Sequence, residues 1–527
     1  MSYSVGINAS AATLTRNRTP GSICPESGMC ATCLEGCTGL CEIGKSAFRG
    51  REVIYPQPFG TITAGAQKDY PVNFSHLSIM GTTVGAHGIE ADSDVATFPN
   101  VRLETAVGVD DTIKLKLPVV IPGLGSTRVA KDNWEGLAIG AAISGVILTI
   151  GENVCGMDPE GEIVGGRVVK SPDMERRVKL FREWYNGYGD IVVQCNVEDT
   201  RLKVADYVIE KLGVQSVEIK WGQGAKDIGG EVKLPTLERA LQLKSRGYIV
   251  YPDPEDPVVQ ESFAKGATVK EFERHSRVGM VDEESFLARV EELRRLGAKH
   301  VMLKTGAYRP ADLARAVKFA SLGKIDLLTV DGAGGGTGMS PWRMMNEWGV
   351  PTLYIESLLY KYLKRLDKKG MYVPKVAIAG GFSLEDNMFK GLALGAPYVK
   401  AIGMARAPLA AAMVGKTLGR LIEEGKVPAE IQNKYGSTVE QIFTATSALK
   451  QVYGADAAKI PPAAIGVYNY FDRLKVGLQQ LMCGARKFAL EYLDRNDLAS
   501  LTKEAEKVTG ITYIMDLDED EVDEILG

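Results

Sequence analysis

One glycine-rich stretch decides the fold, together with the strand before it. Residues 330–341 read Val330-Asp331-Gly332-Ala333-Gly334-Gly335-Gly336-Thr337-Gly338-Met339-Ser340-Pro341. They follow the apolar run 325–330, which is typical of a buried strand in a parallel sheet. Successive glycines leave backbone N–H groups unhindered, so the loop could bind an anion, although a flexible turn explains this loop equally well when it is taken alone.

Two similar units follow and favour phosphate binding. Residues 376–382 form an apolar strand that ends in two glycines, and residues 398–406 form another that leads into a glycine and an Ala-rich helix. A (β/α)8 barrel builds its phosphate site from the loops after its last strands and a helix N-terminus. The sequence therefore predicts an α/β protein with a (β/α)8 TIM barrel whose last strands hold a phosphorylated cofactor.

Length and composition agree with this prediction. The 527 residues leave room for a barrel of about 250 residues and for further segments at both ends. The net charge is −4 without a basic block, so neither nucleic acid nor an anionic membrane is expected as a partner. The uncharged run 136–151 is too short for a membrane span and predicts a buried helix that continues into a strand. The first 20 residues lack a signal-peptide core, so we expect a cytoplasmic protein.

Five of the eight cysteines are clustered near the N-terminus, at Cys24, Cys30, Cys33, Cys37 and Cys41. In a reducing cytoplasm, clustered cysteines bind metal more often than they form disulfides. The cluster contains no histidine, and five thiolates exceed a four-ligand zinc site. An iron–sulfur cluster of the 4Fe–4S type is therefore favoured over zinc and over redox-active or inert thiols.

The chain is predicted to have four consecutive parts. These are a cysteine-rich iron–sulfur segment at 1–50, an N-terminal extension at 51–112, the barrel at 113–420 and a helical extension at 421–527 with an acidic end. Nine candidate strands are expected for the eight-stranded barrel, at 117–125, 145–150, 191–194, 217–219, 248–250, 300–303, 325–330, 376–379 and 398–403. Residues 252–280 are expected to form a lid or an interface loop.

Polar residues end several of these strands, namely Gln194, Lys220, Lys304 and Asp331. Active-site residues of barrels lie at the carboxyl ends of the strands, and a buried lysine needs a partner anion or a functional reason. Lys220 and Lys304 are therefore predicted to be functional, with simple pairing to a core acid as the alternative. Cys195, after the third strand, is expected to be a core thiol.

Three stretches resemble the FMN-binding central domain of glutamate synthase, in the form of a stand-alone large subunit of archaeal type. Residues 218–230 read Glu218-Ile219-Lys220-Trp221-Gly222-Gln223-Gly224-Ala225-Lys226-Asp227-Ile228-Gly229-Gly230 and are similar to the family's E-I-K-x-x-Q-G-A-K segment. Residues 331–341 resemble its G-x-x-G-G-T-G-A-S-P loop, and the glycines of 379–381 and 403–405 fit its last two phosphate-binding strands. The likeness extends over about residues 117–420.

The resemblance implies an FMN cofactor and an acceptor site. The implied cofactor residues are Pro122, Gly123, Leu124, Gly125, Thr149, Gln194, Lys304, Asp331, Gly334, Gly335, Gly380, Gly381, Gly403, Met404, Ala405 and Arg406. Among them, Lys304 is expected near the electron-rich edge of the flavin. Lys220, Gln223 and Lys226 are implied as catalytic residues that face a dicarboxylate such as 2-oxoglutarate. In the family, the imine of ammonia and the 2-oxo acid is reduced to L-glutamate.

Three departures from the family define the expected partners. Residue 2 is serine and the upstream sequence is short, so ammonia is expected from solution or from a separate glutaminase subunit. The family's cysteine motif after the last barrel strand is absent from 405–410, so the N-terminal cysteines are expected to admit electrons. No NAD(P)H-binding unit is recognisable, so ferredoxin or a partner flavoprotein is the expected donor, within an oligomer.

Other functions stay open at this point. A related FMN and iron–sulfur oxidoreductase, such as an N-methylglutamate synthase-type subunit, would keep the barrel and change the acceptor. A non-catalytic electron-transfer subunit would not need Lys220, Gln223 and Lys226. A plain barrel that binds a phosphosugar would leave the clustered cysteines unexplained.

Overall fold

The structure, a computed structural model, describes residues 42–50, 70–222, 231–267, 269, 271–335 and 348–527. At its centre, eight parallel strands pair in sequential order and close into a barrel. The strands are β1 Val119–Leu124, β2 Ile147–Ile150, β3 Asp190–Cys195, β4 Ser216–Lys220, β5 His300–Thr305, β6 Leu328–Asp331, β7 Val376–Ala379 and β8 Val399–Gly403. Strand β8 pairs with β1 and so closes the ring, which confirms the predicted TIM barrel.

Helices surround the barrel and connect each strand to the next, as parallel pairing requires. They are Arg128–Asp132, Trp134–Ser144, Val154–Met157, Pro172–Arg182, Val197–Arg201, Val204–Glu210, Glu283–Arg295, Pro310–Leu322, Thr352–Asp367, Glu385–Leu394 and Arg406–Glu423, and a hairpin of Glu162–Val164 and Arg167–Lys170 lies between β2 and β3. The uncharged run 136–151 has the predicted structure: a buried helix, Trp134–Ser144, is followed by buried β2.

A hairpin that runs from the N-terminal extension into the first residues of the segment predicted as barrel closes the amino end of the barrel. Its strands, Thr105–Val107 and Ile113–Leu115, pair antiparallel. Their apolar side chains share one buried cluster with residues of the barrel strands, including Val120 and Met302. Because this end is filled with side chains, the carboxyl ends of the strands are left to form a site.

The prediction of a barrel strand at 248–250 is wrong. The strand there is Ile249–Tyr251, an edge strand of a three-stranded antiparallel sheet with Phe272–His275 in the middle and Glu231–Leu234 on the other side. Ile249 and Tyr251 are exposed, which suits an edge strand and not a strand covered on both faces. With helices Leu237–Ser245 and Pro257–Ala264, this sheet forms an excursion between β4 and β5.

The C-terminal part packs against the barrel and the N-terminal extension. Its longest helix, Pro462–Gly484, is mostly buried and lies against helices Trp134–Ser144, Arg406–Glu423 and Glu42–Arg49. The other helical segments after Glu423 are Ala429–Tyr435, Val439–Ile442, Thr446–Tyr453, Gly454–Lys459, Leu490–Tyr492, Arg495–Asp497, Lys503–Thr509, Ile514–Asp516 and Glu519–Leu526, and those before the barrel are Phe74–His76 and Phe98–Asn100. Strand Leu77–Ile79 pairs antiparallel with Leu498–Ser500.

Within the described ranges, no helix has both the length and the apolar character needed to cross a bilayer.

Candidate active site

Two buried lysines lie side by side at the carboxyl end of the barrel. Lys220 ends β4, Lys304 is the next-to-last residue of β5, and the two are register partners in these neighbouring strands. Lys220 is 9% exposed and Lys304 is 5% exposed. A buried ammonium group is costly unless an anion compensates its charge, and each of these lysines has such a partner.

The partners are carboxylates from two other strand ends. Lys220 Nζ lies 2.7 Å from Oε1 of Glu152, which follows β2. Lys304 Nζ lies 3.2 Å from Oδ2 of Asp331, the last residue of β6. The pairing that was the alternative to a functional role is thus observed. Both acids, however, lie at the mouth of the barrel and keep part of their surface exposed, so the two pairs belong to the rim and not to the filled core.

The charges around the two lysines act in different directions. Burial lowers the pKa of Lys220; attraction by Glu152 opposes this effect, and repulsion by Lys304 adds to it. Burial also acts to lower the pKa of Lys304, but attraction by Asp331 and Glu218 outweighs it, so that pKa is raised. Burial acts to raise the pKa of Glu152, but Lys220 outweighs it and the pKa is lowered. The site therefore favours a charged Lys304 and makes Lys220 the lysine that loses its proton more readily.

A buried amide and carboxyl lie one layer deeper. Gln194 Nε2 on β3 donates a hydrogen bond to Oε1 of Glu218 on β4, and burial raises the pKa of Glu218. Gln194 Oε1 is buried without a hydrogen-bond partner among the described residues. It lies 2.7 Å from the place that a Cβ on Gly123 would occupy, and Thr149 is buried on the strand between β1 and β3. A donor on a bound ligand would satisfy this acceptor.

The ends of β6 and β7 present backbone to each other. Gly380 and Gly381 follow β7 with φ values of 127° and 104°, which favour glycine. A Cβ on Gly380 would lie 2.4 Å from Thr352 Oγ1 and 2.8 Å from the backbone nitrogen of Gly332. Glycine is therefore required here, and backbone N–H groups of such a rim can bind a phosphate.

The remaining predicted cofactor residues lie at the same end of the barrel. Pro122, Gly123 and Leu124 end β1 and Gly125 follows it, Gly334 and Gly335 follow β6, and Gly403, Met404, Ala405 and Arg406 lead from β8 into a long helix. The N-terminus of helix Arg406–Glu423 adds a partial positive charge to this part of the rim. The structure thus brings the predicted phosphate residues and Lys304 to one face of the molecule.

Other predicted residues lie outside the described part of the chain. They are Gln223, Lys226, the end of the glycine loop from Gly336 onward, and Cys24, Cys30, Cys33, Cys37 and Cys41. Two residues before Gln223, the Trp221 ring packs edge-on against Phe286 and Phe319. The backbone N–H of Trp221 donates a 2.9 Å hydrogen bond to the backbone carbonyl of Lys304. The chain is therefore fixed beside Lys304 where the acceptor segment begins.

The described ranges contain no group of three or more His, Cys, Asp or Glu side chains arranged to hold a metal. Their three cysteines are Cys155, Cys195 and Cys483. Cys195 is buried, and burial raises its pKa, as expected for the predicted core thiol.

Arg274 is a candidate site residue that was not among those predicted from the sequence. It lies on the central strand of the excursion sheet, is fully buried, and places its guanidinium carbon 5.0 Å from the centre of the Tyr248 ring. Nη1 donates to Ser276 Oγ, whereas Nε and Nη2 have no hydrogen-bond partner among the described residues. The carboxylates of Glu198, Glu152 and Asp199 lie within electrostatic range. An anionic ligand would satisfy these donors, and the one signal in the sequence is an arginine two residues after Phe272, on the apolar face of an alternating strand.

The arrangement fits an FMN. The glycine rim and the helix N-terminus suit its phosphate, Lys304 supplies a cation for an electron-rich ring edge, and Gln194 Oε1 offers an unsatisfied acceptor. All of these groups lie at the carboxyl ends of the strands, where barrels bind cofactors.

Comparisons with known proteins agree with this arrangement in part. Residues 270–416 match the family described as the conserved region in glutamate synthase, which confirms the resemblance over that range. The match supports the FMN-dependent oxidoreductase that the resemblance implies. No curated protein matches the chain.

Solved structures with a similar arrangement are distant in sequence. The flavin-binding domain of baker's yeast flavocytochrome b2 is 13% identical, with 85% of this chain and 81% of that chain covered and a TM-score of 0.46. An oxidized active mutant of (S)-mandelate dehydrogenase is 13% identical, with 87% and 91% covered and a TM-score of 0.43. These likenesses support no conclusion about function, and the barrel rests on the strand pairing of this chain.

Proposed function

We propose that this protein is a glutamate synthase-like oxidoreductase that uses FMN and an iron–sulfur cluster to reduce the imine of 2-oxoglutarate and ammonia to L-glutamate. The observation that carries the proposal is the pair of adjacent buried lysines, Lys220 and Lys304, each held by a carboxylate beside a glycine rim. A barrel that only binds a phosphate does not need two buried ammonium groups at its mouth.

Lys304 belongs to the cofactor side of the proposed site. FMN, when bound, supplies the hydride for the reaction. Asp331 and Glu218 keep Lys304 protonated although it is buried. A permanent cation at this place stabilises negative charge on the reduced ring.

Lys220 and Arg274 belong to the acceptor side. A dicarboxylate needs cationic donors for two carboxylates, and Arg274 has two guanidinium nitrogens without a partner in the described ranges. Glu152 holds the Lys220 ammonium in place. The lowered pKa of Lys220 also makes Nζ a better proton donor than an exposed lysine at neutral pH. Gln223 and Lys226, which follow Lys220 closely in sequence, complete the proposed acceptor set.

Electrons are proposed to enter through the cysteine cluster from ferredoxin or a partner flavoprotein, and ammonia to come from solution or from a separate glutaminase. Cys33→Ser should lower the iron content of the purified protein and leave the FMN content unchanged. Cys483→Ser, which changes a single half-buried thiol, is the matched control. Equal iron content in Cys33→Ser and wild type would refute the cluster assignment.

The reaction itself can be tested on the flavin. The protein is reduced anaerobically with dithionite, freed of excess reductant and mixed with 2-oxoglutarate and ammonium. Reoxidation of the flavin together with formation of glutamate supports the proposal. Lys220→Met should keep the flavin and lose the reoxidation. A wild-type flavin that stays reduced with both substrates present would refute glutamate synthesis and leave the cofactor assignment standing.

A further inference from the structure

Asp199 is a buried acid within electrostatic range of both members of the Glu152–Lys220 pair. It belongs to helix Val197–Arg201, which follows β3, and is 1% exposed. The backbone N–H of Asn153 donates to both of its carboxylate oxygens, at 3.1 and 3.0 Å. The Asn196 N–H donates to Oδ2 at 3.3 Å. Through these hydrogen bonds, Asp199 connects Asn153, the residue after Glu152, to Asn196, the residue after β3.

The hydrogen bonds to Asp199 hold the backbone where it turns at Asn153. Asn153 has a φ of 66°, in the left-handed region, which asparagine adopts more readily than most other non-glycine residues. On the other side of the loop, a Cβ on Gly125 would lie 2.5 Å from the Glu152 carbonyl oxygen, so the loop is already close to the end of β1. A shift of this backbone would move the Glu152 carboxylate, which holds Lys220 Nζ at 2.7 Å.

We propose that Asp199 is a positioning residue that fixes the Glu152 loop through the Asn153 N–H and thereby holds Lys220 in the geometry that binds the acceptor. This inference rests on the proposed function, because it assigns Lys220 to the acceptor. It concerns a residue that touches neither cofactor nor substrate and acts through its neighbour.

Several charged and titratable groups face Asp199. Glu152 lies on the β2 loop and Lys220 on β4. Tyr248 and Arg274 lie on the excursion, and Cys155 and Cys195 are the nearby thiols. Burial raises the pKa of Asp199 to about 7, while the two N–H bonds and Lys220 oppose the rise and Glu152 adds to it. Asp199 therefore gains a proton just below neutral pH.

Protonation of Asp199 weakens its hydrogen bonds with the Asn153 N–H. A charged acceptor makes a hydrogen bond about twice as strong as a neutral one, and a protonated carboxyl group can offer the Asn153 N–H a single free oxygen. The left-handed backbone at Asn153 is then held less firmly. The acceptor site is expected to lose activity as the pH falls through about 7.

The experiment compares Asp199→Asn with the wild-type holoenzyme. Amide hydrogen exchange of the peptide around Asn153, followed by mass spectrometry at one fixed pH, should be several times faster in the variant. The value of kcat/KM for 2-oxoglutarate should fall by about tenfold or more, and the acidic limb of its pH profile should disappear, with FMN content unchanged. Asp206→Asn is the matched control, because Asp206 is a buried acid on the next helix that pairs with Arg167 and does not contact the Glu152 loop.

Exchange at the wild-type rate in Asp199→Asn would overturn the proposal, and so would an acidic limb that persists unchanged. If the wild-type enzyme forms no glutamate at any pH, the proposed function fails. The exchange measurement still decides whether Asp199 fixes the Glu152 loop, since it requires no substrate.

Discussion

Lys304 combines nearly complete burial with a raised pKa, and its carboxylate partner Asp331 lies 3.2 Å away. Replacing it with methionine removes the cation proposed to lie beside the flavin. We expect Lys304→Met either to lose FMN or to bind FMN with a midpoint potential more negative by roughly 30 mV or more, since 30 mV corresponds to about 1.4 kcal/mol for two electrons. The flavin content of the purified variant shows whether FMN is lost, and a spectroelectrochemical titration measures the midpoint potential of the bound flavin.

Lys299, the residue just before β5, offers a matched control. It is exposed and precedes β5 at the amino end of the barrel, so Lys299→Met removes a lysine without changing the site. Lys304→Arg, which keeps the positive charge, separates loss of charge from loss of folding. Normal FMN content and potential in Lys304→Met would exclude the proposed role of this lysine.

Glu152→Gln tests the acceptor side through its pH dependence. Glu152 raises the pKa of Lys220 against the lowering effect of burial. Without it, the Lys220 pKa falls further, so the ammonium is lost at lower pH and binding of a dicarboxylate weakens sooner as the pH rises. The alkaline limb of kcat/KM for 2-oxoglutarate should therefore move to lower pH.

A suitable control for Glu152→Gln is Glu162→Gln, which breaks the exposed pair of Glu162 with Lys170 on a surface hairpin. This variant should have the wild-type pH profile. An alkaline limb that is the same in Glu152→Gln and wild type would show that Glu152 does not set the charge of Lys220.

The sequence shows some of these residues more clearly than others. Lys220 and Lys304 stand out because a charge at the end of an apolar strand is unusual. Their partners Glu152 and Asp331 lie at the ends of other strands. The sequence does not show which of these acids pairs with which lysine. Arg274 depends on how the excursion sheet packs near the mouth, which is a long-range contact that no local pattern encodes.

At the scale of elements, helix Pro462–Gly484 provides a test of packing with its own internal control. A Cβ on Gly466 would lie 2.7 Å from the Ala411 carbonyl oxygen, whereas a Cβ on Gly484, in the same helix, would meet no atom within 4 Å. Gly466→Ala should lower the free energy of unfolding by about 1–3 kcal/mol through overpacking. Gly484→Ala should be neutral or stabilising by up to about 1 kcal/mol.

Thermal denaturation at equal FMN loading compares the two variants. Equal melting temperatures for Gly466→Ala and Gly484→Ala would show that helix Pro462–Gly484 does not depend on close contact with helix Arg406–Glu423. Such a result would contradict the packing of the C-terminal part against the barrel.

Element by element, the sequence predicts the barrel well and the excursion poorly. Eight of the predicted strands lie in the barrel, because long apolar runs between helices are typical of a parallel sheet. The run at 248–250 has a similar composition, but Tyr248 is its one buried residue and Ile249 faces solvent. Tyr251, the next residue, also faces solvent. Three apolar residues do not distinguish a barrel strand from an edge strand, and pairing with Phe272–His275 decides the outcome.

At the scale of the whole molecule, parts distant in sequence complete one another. Strand Leu77–Ile79 finds its partner in Leu498–Ser500, and helix Glu42–Arg49 packs on helix Pro462–Gly484. Composition and local pattern divide the chain into consecutive segments and carry no information about such contacts. The folded unit around the barrel therefore includes residues from both ends of the described chain.

The stability of this unit should depend on pH through its buried acids. Burial raises the pKa of Asp199 to about 7 and also raises the pKa values of Glu218 and Glu385. An acid with a raised pKa keeps its proton in the folded state over a pH range in which the unfolded chain releases it. The unfolded state then binds fewer protons, so the free energy of unfolding falls as the pH rises through this range.

For Asp199 the range extends from its ordinary pKa of 3.8 to about 7, and one proton contributes up to about 1.4 kcal/mol for each pH unit. We expect urea denaturation to give decreasing stability between about pH 5 and about pH 7, and Asp199→Asn, which cannot ionise, to reduce that slope. If the free energy of unfolding of the wild type rises over this pH range, the neighbouring cations stabilise the ionised buried acids enough to offset the cost of burying their charge. A slope that is unchanged in Asp199→Asn would show that Asp199 is already ionised at acidic pH, and the acidic limb of activity would then need another group.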